Sequence, residues 1–223
     1  MSVKTIFEDE DILIIEKPAG LTVNRSETAK EETLQDIIDK DFKIQVERSG
    51  IVHRIDKETS GLLIIAKTSE SFTNLQKQFK ERKVKKTYIA LVHGELKGEG
   101  EIKVPIGRLP WNRKRFGVLS GGREAVTKYR SVKLIPLNKE ILTLLALYPE
   151  TGRTHQIRVH LKYLNHPIFS DELYAGRKTA RSDRKILPRI FLHAAKISFR
   201  HPKTGEMMNF ESKLPQELEN LVS

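Results

Sequence analysis

Two nearly uninterrupted apolar runs constrain this chain more than any other feature: Gly61 to Ala66 (GLLIIA) and Ile141 to Tyr148 (ILTLLALY). Neither alternates with polar residues, so each must bury both of its faces. Both fall far short of the roughly 20 residues needed to cross a bilayer as a helix. They read as interior strands of a sheet. Their flanks sharpen the reading. Pro149-Glu150-Thr151-Gly152 stops the second run, and the first follows directly on His53 to Thr59 (HRIDKET), where Ile55 is the sole apolar residue.

The rest of the chain supplies partners for those strands. Asp11 to Glu16 is β-rich and is stopped by Lys17-Pro18-Ala19-Gly20. Thr87–His93, Glu101–Pro105, Val126–Leu134, Phe191–Phe199 and Met207–Glu211 also read as strands. Helical spacing places Leu34, Ile37 and Ile38 on one face within Thr33–Asp39. Ser69–Arg82 reads as a helix with Ser69 as N-cap and a core stripe of Phe72, Leu75 and Phe79. Thr154–Leu164 reads as another, capped by Thr154, with Ile157, Leu161 and Leu164 inward, and Leu214-Pro215 opens a short terminal helix. Helices and strands interleave without a steady βαβ beat. The expected fold is therefore α+β: a single domain over 1–223, with a mixed, largely antiparallel sheet flanked by helices and basic loops.

Charge narrows the function. Lys and Arg number 40 against 29 Asp and Glu, a formal net charge of +11, which suits a partner rich in phosphate. The cations cluster at Lys77–Lys86, in the Arg-, Lys- and Gly-rich segment Trp111–Arg123, and along Tyr174–Arg189. The last two read as RNA-facing loops. Cysteine is absent, which excludes disulfides, thiolate chemistry and cysteine-type zinc sites. Acidic residues arrive early, where a signal peptide needs an apolar stretch, so the expectation is a cytoplasmic protein with no membrane association. His155 and His160 are five apart rather than at the i, i+4 spacing of a helical metal pair. There is no Walker loop, no dinucleotide fingerprint and no Gly-x-Ser-x-Gly elbow.

Two polar clusters remain as carriers of chemistry. In His53–Thr59, Asp56 sits where the chain dives toward the core; it is either a reactive carboxylate or a turn cap accepting the Thr59 and Ser60 amides. In Thr151–His160, polar groups crowd a helix start, where free amides favour an anion. Arg158 lies one turn in and could reach a buried carboxylate. The plain alternative is that these residues solvate the helix end.

Together these segments resemble a known family. His53-Arg54-Ile55-Asp56 with Thr59-Ser60-Gly61-Leu62-Leu63 is similar to the HRLDxxTSGLL signature of RluA-type pseudouridine synthases. Lys86-Thr87-Tyr88-Ile89-Ala90-Leu91-Val92 resembles the next motif of that family, and Thr151 to Leu161 (TGRTHQIRVHL) the third. Weaker echoes occur at Glu8–Gly20, at His166-Pro167-Ile168 with Asp171, and at Leu192-His193-Ala194, so the resemblance runs from about Phe7 to about Phe210. It implies that Asp56 is the catalytic carboxylate and that Tyr88 stacks on the target uracil. It further implies that Arg158 pairs with Asp56 and keeps it aimed, and that Arg54 helps displace the target nucleotide from the RNA stack. It implies no metal, no organic cofactor, and RNA (ribosomal, transfer or both) as partner. A monomer is expected, and so is a chain without the extra N-terminal RNA-binding domain of many relatives. Ile55 replaces the usual Leu, Asn165 stands where Gly often precedes His-Pro, and Ser170 where Gly often precedes Asp.

The implied reaction breaks the bond between ribose C1′ and uracil N1, rotates the base and joins C5 to C1′. Hydrolysis of a glycoside uses two carboxylates, one of them to activate water. One carboxylate in a dry pocket suits isomerisation better, either as a nucleophile on C1′ or as a base at C2′ that yields a glycal. A non-catalytic RNA-binding protein and a base-excising glycosidase are the competing readings.

Overall fold

The computed structural model describes residues 3–25, 31–113, 115–138 and 140–223. Met1 and Ser2 of the N-terminal reading, and Lys114 within the basic segment 111–123, lie outside the described residues. In chain order the first elements are β1 (Lys4–Glu8), β2 (Ile12–Lys17), α1 (Leu34–Ile37), β3 (Ser60–Ala66) and α2 (Ser69–Lys80). Then come β4 (Lys85–His93), β5 (Glu99–Lys103), β6 (Ile106–Arg108), β7 (Phe116–Val118), β8 (Val126–Leu137) and β9 (Glu140–Pro149). The last are α3 (Gln156–Tyr163), α4 (Arg177–Asp183), β10 (Leu192–Arg200), β11 (Met207–Glu211) and α5 (Gln216–Glu219). The architecture is α+β with mostly antiparallel strands, as the irregular interleaving implies. The chain divides into two compact units, 1–85 with 194–212, and 86–193 with 213–223.

In the first unit, β1, β2 and β3 pair antiparallel, and β11 pairs antiparallel with β10. The apolar run at β3 is buried along its whole length. Ile12, Ile14, Leu62 and Ile64 pack with Phe72 and Leu75 of α2 and with Ile197 and Phe199 of β10. The helix begins one residue earlier in its capping than the sequence suggests. Thr68, in extended backbone, accepts the Ser71 N–H at 3.1 Å, so Thr68 and not Ser69 is the N-cap. At α1, Thr33 and Asp36 form a reciprocal capping box. Gly61 has φ +118°, and a Cβ there would lie 2.3 Å from the Ala194 carbonyl oxygen, so no other residue fits.

In the second unit, β4, β9, β8 and β5 form an antiparallel run, and β6 and β7 form a separate two-stranded ribbon. The second apolar run is β9, whose Leu145 and Leu147 are fully buried in a core with Leu91, Leu161, Ile168 and Phe191. Here one expectation is corrected: α3 starts at Gln156, and Thr154 does not cap it. The reason is the Gln156 amide. Its Oε1 accepts the Thr151 hydroxyl at 2.6 Å and the Arg153 N–H at 3.0 Å, and its Nε2 donates to Val126 O and Thr127 Oγ1. That binds the preceding loop in a non-helical path and leaves His155 as N-cap, with left-handed backbone (φ 55°, ψ 21°).

Candidate active site

The carboxylate proposed from the sequence sits on a loop whose course is set by main-chain bonds and by the side chains of His53 and Lys17. A turn at Glu47–Gly50 with left-handed Arg48 and Ser49 leads into it. His53 Nε2 accepts the Ile64 N–H at 3.0 Å, and its ring stacks on Phe79 of α2, so this histidine is a clasp between the loop and the unit's core. Ile55 is buried. Asp56 is half-buried and Arg54 exposed. The Asp56 carbonyl accepts the Thr59 N–H at 3.1 Å, closing a turn that feeds directly into β3. The loop is held from β2 as well. Lys17 is fully buried, and its ammonium donates to the carbonyls of Pro18, Leu21 and Lys57 at 2.7, 2.8 and 3.0 Å. Three carbonyls for three N–H bonds make a buried lysine tolerable. Thr59 Oγ1 is buried, with no hydrogen-bond partner among the described residues.

Tyr88 and Arg158 belong to the second unit. Tyr88 is half-buried on β4, in register with Leu147 of β9. Two residues earlier, burial pushes the Lys86 ammonium down to about 8. Arg158 lies in the first turn of α3, 6% exposed. Its guanidinium is held edge-on by Asp171, Nε to Oδ2 at 2.8 Å and Nη2 to Oδ1 at 2.9 Å. Asp171 is itself fully buried and also accepts the Leu173 and Tyr174 amides through Oδ1. The ring of Tyr174 covers the guanidinium, with Cζ 5.1 Å from its centroid. A buried bidentate pair with further amides on the carboxylate is the arrangement in which two buried charges are compensated.

Asn165 and Ser170, which stand where glycine is common, both adopt left-handed backbone (φ 62° and 63°). Asparagine tolerates that region. Ser170 is held in it by its hydroxyl bond to Leu187 O and by its N–H bond to Asp183. His160 is a core residue. Burial pushes its pKa down, against a bond to the Val104 carbonyl, so the neutral ring serves Thr127 and Val104. Among the described residues, the one group with metal-like spacing is Asp9, Asp11 and His201. His201 Nδ1 accepts the Lys203 and Thr204 amides, so its Nε2 carries the proton donated to Asp9. That makes the group a hydrogen-bonded turn.

The basic segments divide on inspection. Residues 111–123 contain β7, which with β6 makes a ribbon whose turn carries Trp111, 77% exposed. In 174–189, Arg177, Lys178, Arg181 and Lys185 are exposed. Arg184 and Arg189 are instead structural. Arg184 bonds the Ser170 and Pro188 carbonyls, and Arg189 bonds Ile190 O, Leu192 O and Glu217. Sequence reasoning missed three contributors. Lys17 read only as a strand stop, Asp171 only as a weak echo, and Tyr174 only as the edge of a basic loop. No single-residue signal marks a lysine or tyrosine as buried.

The fold and the site together define a class. The solved structure titled Human RNA Pseudouridylate Synthase Domain Containing 1 superposes with a TM-score of 0.77 at 27% identity, over 96% of this chain and 84% of that one. Human RNA Pseudouridylate Synthase Domain Containing 4 shares the fold, with a TM-score of 0.74 over 98% of this chain and 91% of that one. The family model for RNA pseudouridylate synthase matches residues 11–163. This chain belongs to the RNA pseudouridylate synthase family. Among curated relatives it is 41% identical over 98% of its length to Ribosomal large subunit pseudouridine synthase D of Nitrosomonas europaea. It is 42% identical over 99% of its length to an uncharacterized RNA pseudouridine synthase of Aquifex aeolicus. The chain spans 64% and 72% of the lengths of those two relatives. Among the described residues, no helix is long and apolar enough to cross a membrane.

Proposed function

We propose that this protein isomerises uridine to pseudouridine in structured RNA, with Asp56 as the essential carboxylate. The observation that carries the reading is the placement of Asp56. In a chain of this family, the aspartate of the matching motif is half-buried at a braced turn that opens directly onto the fully buried β3. A carboxylate so placed is near water without being bathed in it, which suits attack on a sugar without hydrolysis. The isomerisation balances without a co-reactant: N1 gains a proton as C5 loses one. Asp56 acts at C1′ or at C2′, Tyr88 stacks on the extruded uracil, Arg158 aims the carboxylate, and Arg54 fills the gap in the RNA stack. The metal-free, cofactor-free scheme implied by the resemblance is kept.

The substrate class is ribosomal RNA, transfer RNA or both; a large-subunit ribosomal RNA is favoured by the names of the similar relatives. We take the protein to act as a monomer in the cytoplasm. Extruding the base costs a few kcal/mol and is cheapest in loops, and aromatic faces hold displaced bases. The net charge of +11 supplies phosphate contacts, so RNA affinity falls steeply as salt rises. A binding constant flat against salt would contradict that part.

Nucleoside chromatography of RNA treated with the protein and then digested tests the reading. Pseudouridine without free uracil is expected. Free uracil would mean a glycosidase, and unchanged uridine across ribosomal, transfer and whole-cell RNA would mean a binding protein.

A further inference from the structure

We infer that Tyr174 is a positioning residue that fixes the face of the Arg158 guanidinium. This rests on the reading of Arg158 as part of the reactive site. Asp171 holds Arg158 along one edge by two parallel bonds. A bidentate edge sets the direction of the guanidinium, and a contact on its face sets the tilt of its plane. The Tyr174 ring lies across that plane at 5.1 Å from Cζ, where its negative face attracts the cation and fixes the tilt.

The ring is itself held. It is 7% exposed, in a small apolar cluster with Ile106 of the ribbon, Ala125 and Val159 of α3. Its hydroxyl accepts the Phe116 N–H from β7 at 3.1 Å and bonds His155 Nδ1 at 2.9 Å. His155 is the left-handed N-cap of α3, and its ring meets Tyr174 edge-on. A strained non-glycine residue persists only where its surroundings enforce it. The Tyr174 hydroxyl is one such enforcement, placed three residues before Arg158. One side chain thus touches the face of the guanidinium, the start of the helix that carries it, and the strand of the basic ribbon.

The test is single-turnover tritium release from RNA labelled at uracil C5. RNA affinity and melting temperature are measured in parallel, for wild type, Tyr174→Leu, Tyr174→Phe, Arg158→Ala and Asp56→Asn. Tyr174→Leu, assayed well below its melting temperature, should lose roughly 100-fold in rate with RNA affinity near wild type, since small misplacement of a reacting group costs about that much. Tyr174→Phe keeps the ring and should recover most of the rate. Wild-type turnover by Tyr174→Leu while Arg158→Ala and Asp56→Asn are inactive would overturn this inference alone. So would a loss by Tyr174→Leu that merely tracks melting temperature and RNA affinity. Full activity of Arg158→Ala and Asp56→Asn would overturn the underlying reading instead.

Discussion

The two polar segments of the proposed site, 53–60 and 151–171, look alike in sequence and are built on opposite plans. The second is over-determined. Gln156 uses its amide on four partners, Asp171 grips Arg158 by two bonds while accepting two amides, and a tyrosine ring closes the face. The first is braced through main-chain atoms. Lys17 holds the Lys57 carbonyl and the Asp56 carbonyl closes the turn, while Arg54 is exposed and the Thr59 hydroxyl is buried with no partner among the described residues. Segment 151–171 is fixed by bonds among its own side chains, whereas 53–60 is fixed by main-chain bonds and by the His53 and Lys17 side chains.

Breaking the rigid segment should cost most. Asp171→Ala removes the bidentate carboxylate from a buried guanidinium and should destabilise the protein by about 3–5 kcal/mol in denaturant unfolding. A loss below about 1 kcal/mol would mean that the segment is not over-determined.

A smaller effect is expected at the far end of that segment. Asp183 there bonds both the Ser170 N–H and His93 Nε2, and Glu140 bonds His93 Nδ1, each histidine contact at 3.0 Å. Burial opposes charge on the His93 ring, but the bonds to Asp183 and Glu140 outweigh it and raise its pKa above 6.5. A raised folded-state value stabilises most below the unfolded pKa, and the gain is lost as pH rises through the folded one. The stability difference between wild type and His93→Gln should therefore be about 1–2 kcal/mol below pH ~6.5 and shrink at higher pH. A difference that grows with pH would contradict the imidazolium bridge.

The smallest effect sharpens the contrast from the other side. Thr59→Val removes a buried hydroxyl that has no partner among the described residues and should stabilise the protein by about 1 kcal/mol. Destabilisation would show that the reactive segment depends on that hydroxyl.

Much of this was legible in the sequence. The nearly uninterrupted runs at Gly61–Ala66 and Ile141–Tyr148 marked interior strands, and both are strands, the first buried throughout and the second buried from Leu142 to Leu147. Boundaries were less legible. Thr68 took the cap from Ser69, and Gln156 displaced the start of α3, because local side-chain bonds decide such positions and periodicity does not record them. Lys17 and Tyr174 were illegible in role. A lysine before a proline read as a strand stop and a tyrosine beside an arginine-rich stretch as the edge of a basic loop, and only the tertiary fold supplies the three carbonyls or the guanidinium they meet. The basic stretch 174–189 misled in part, since Arg184 and Arg189 spend their charge on internal carbonyls.

The most direct test of the central claim is tritium release from ribosomal and transfer RNA transcripts labelled at uracil C5, comparing wild type with Asp56→Asn. The account predicts release by the wild type, none by the variant, and equal RNA affinity for both. Release by Asp56→Asn at the wild-type rate would remove Asp56 from the chemistry and contradict the account.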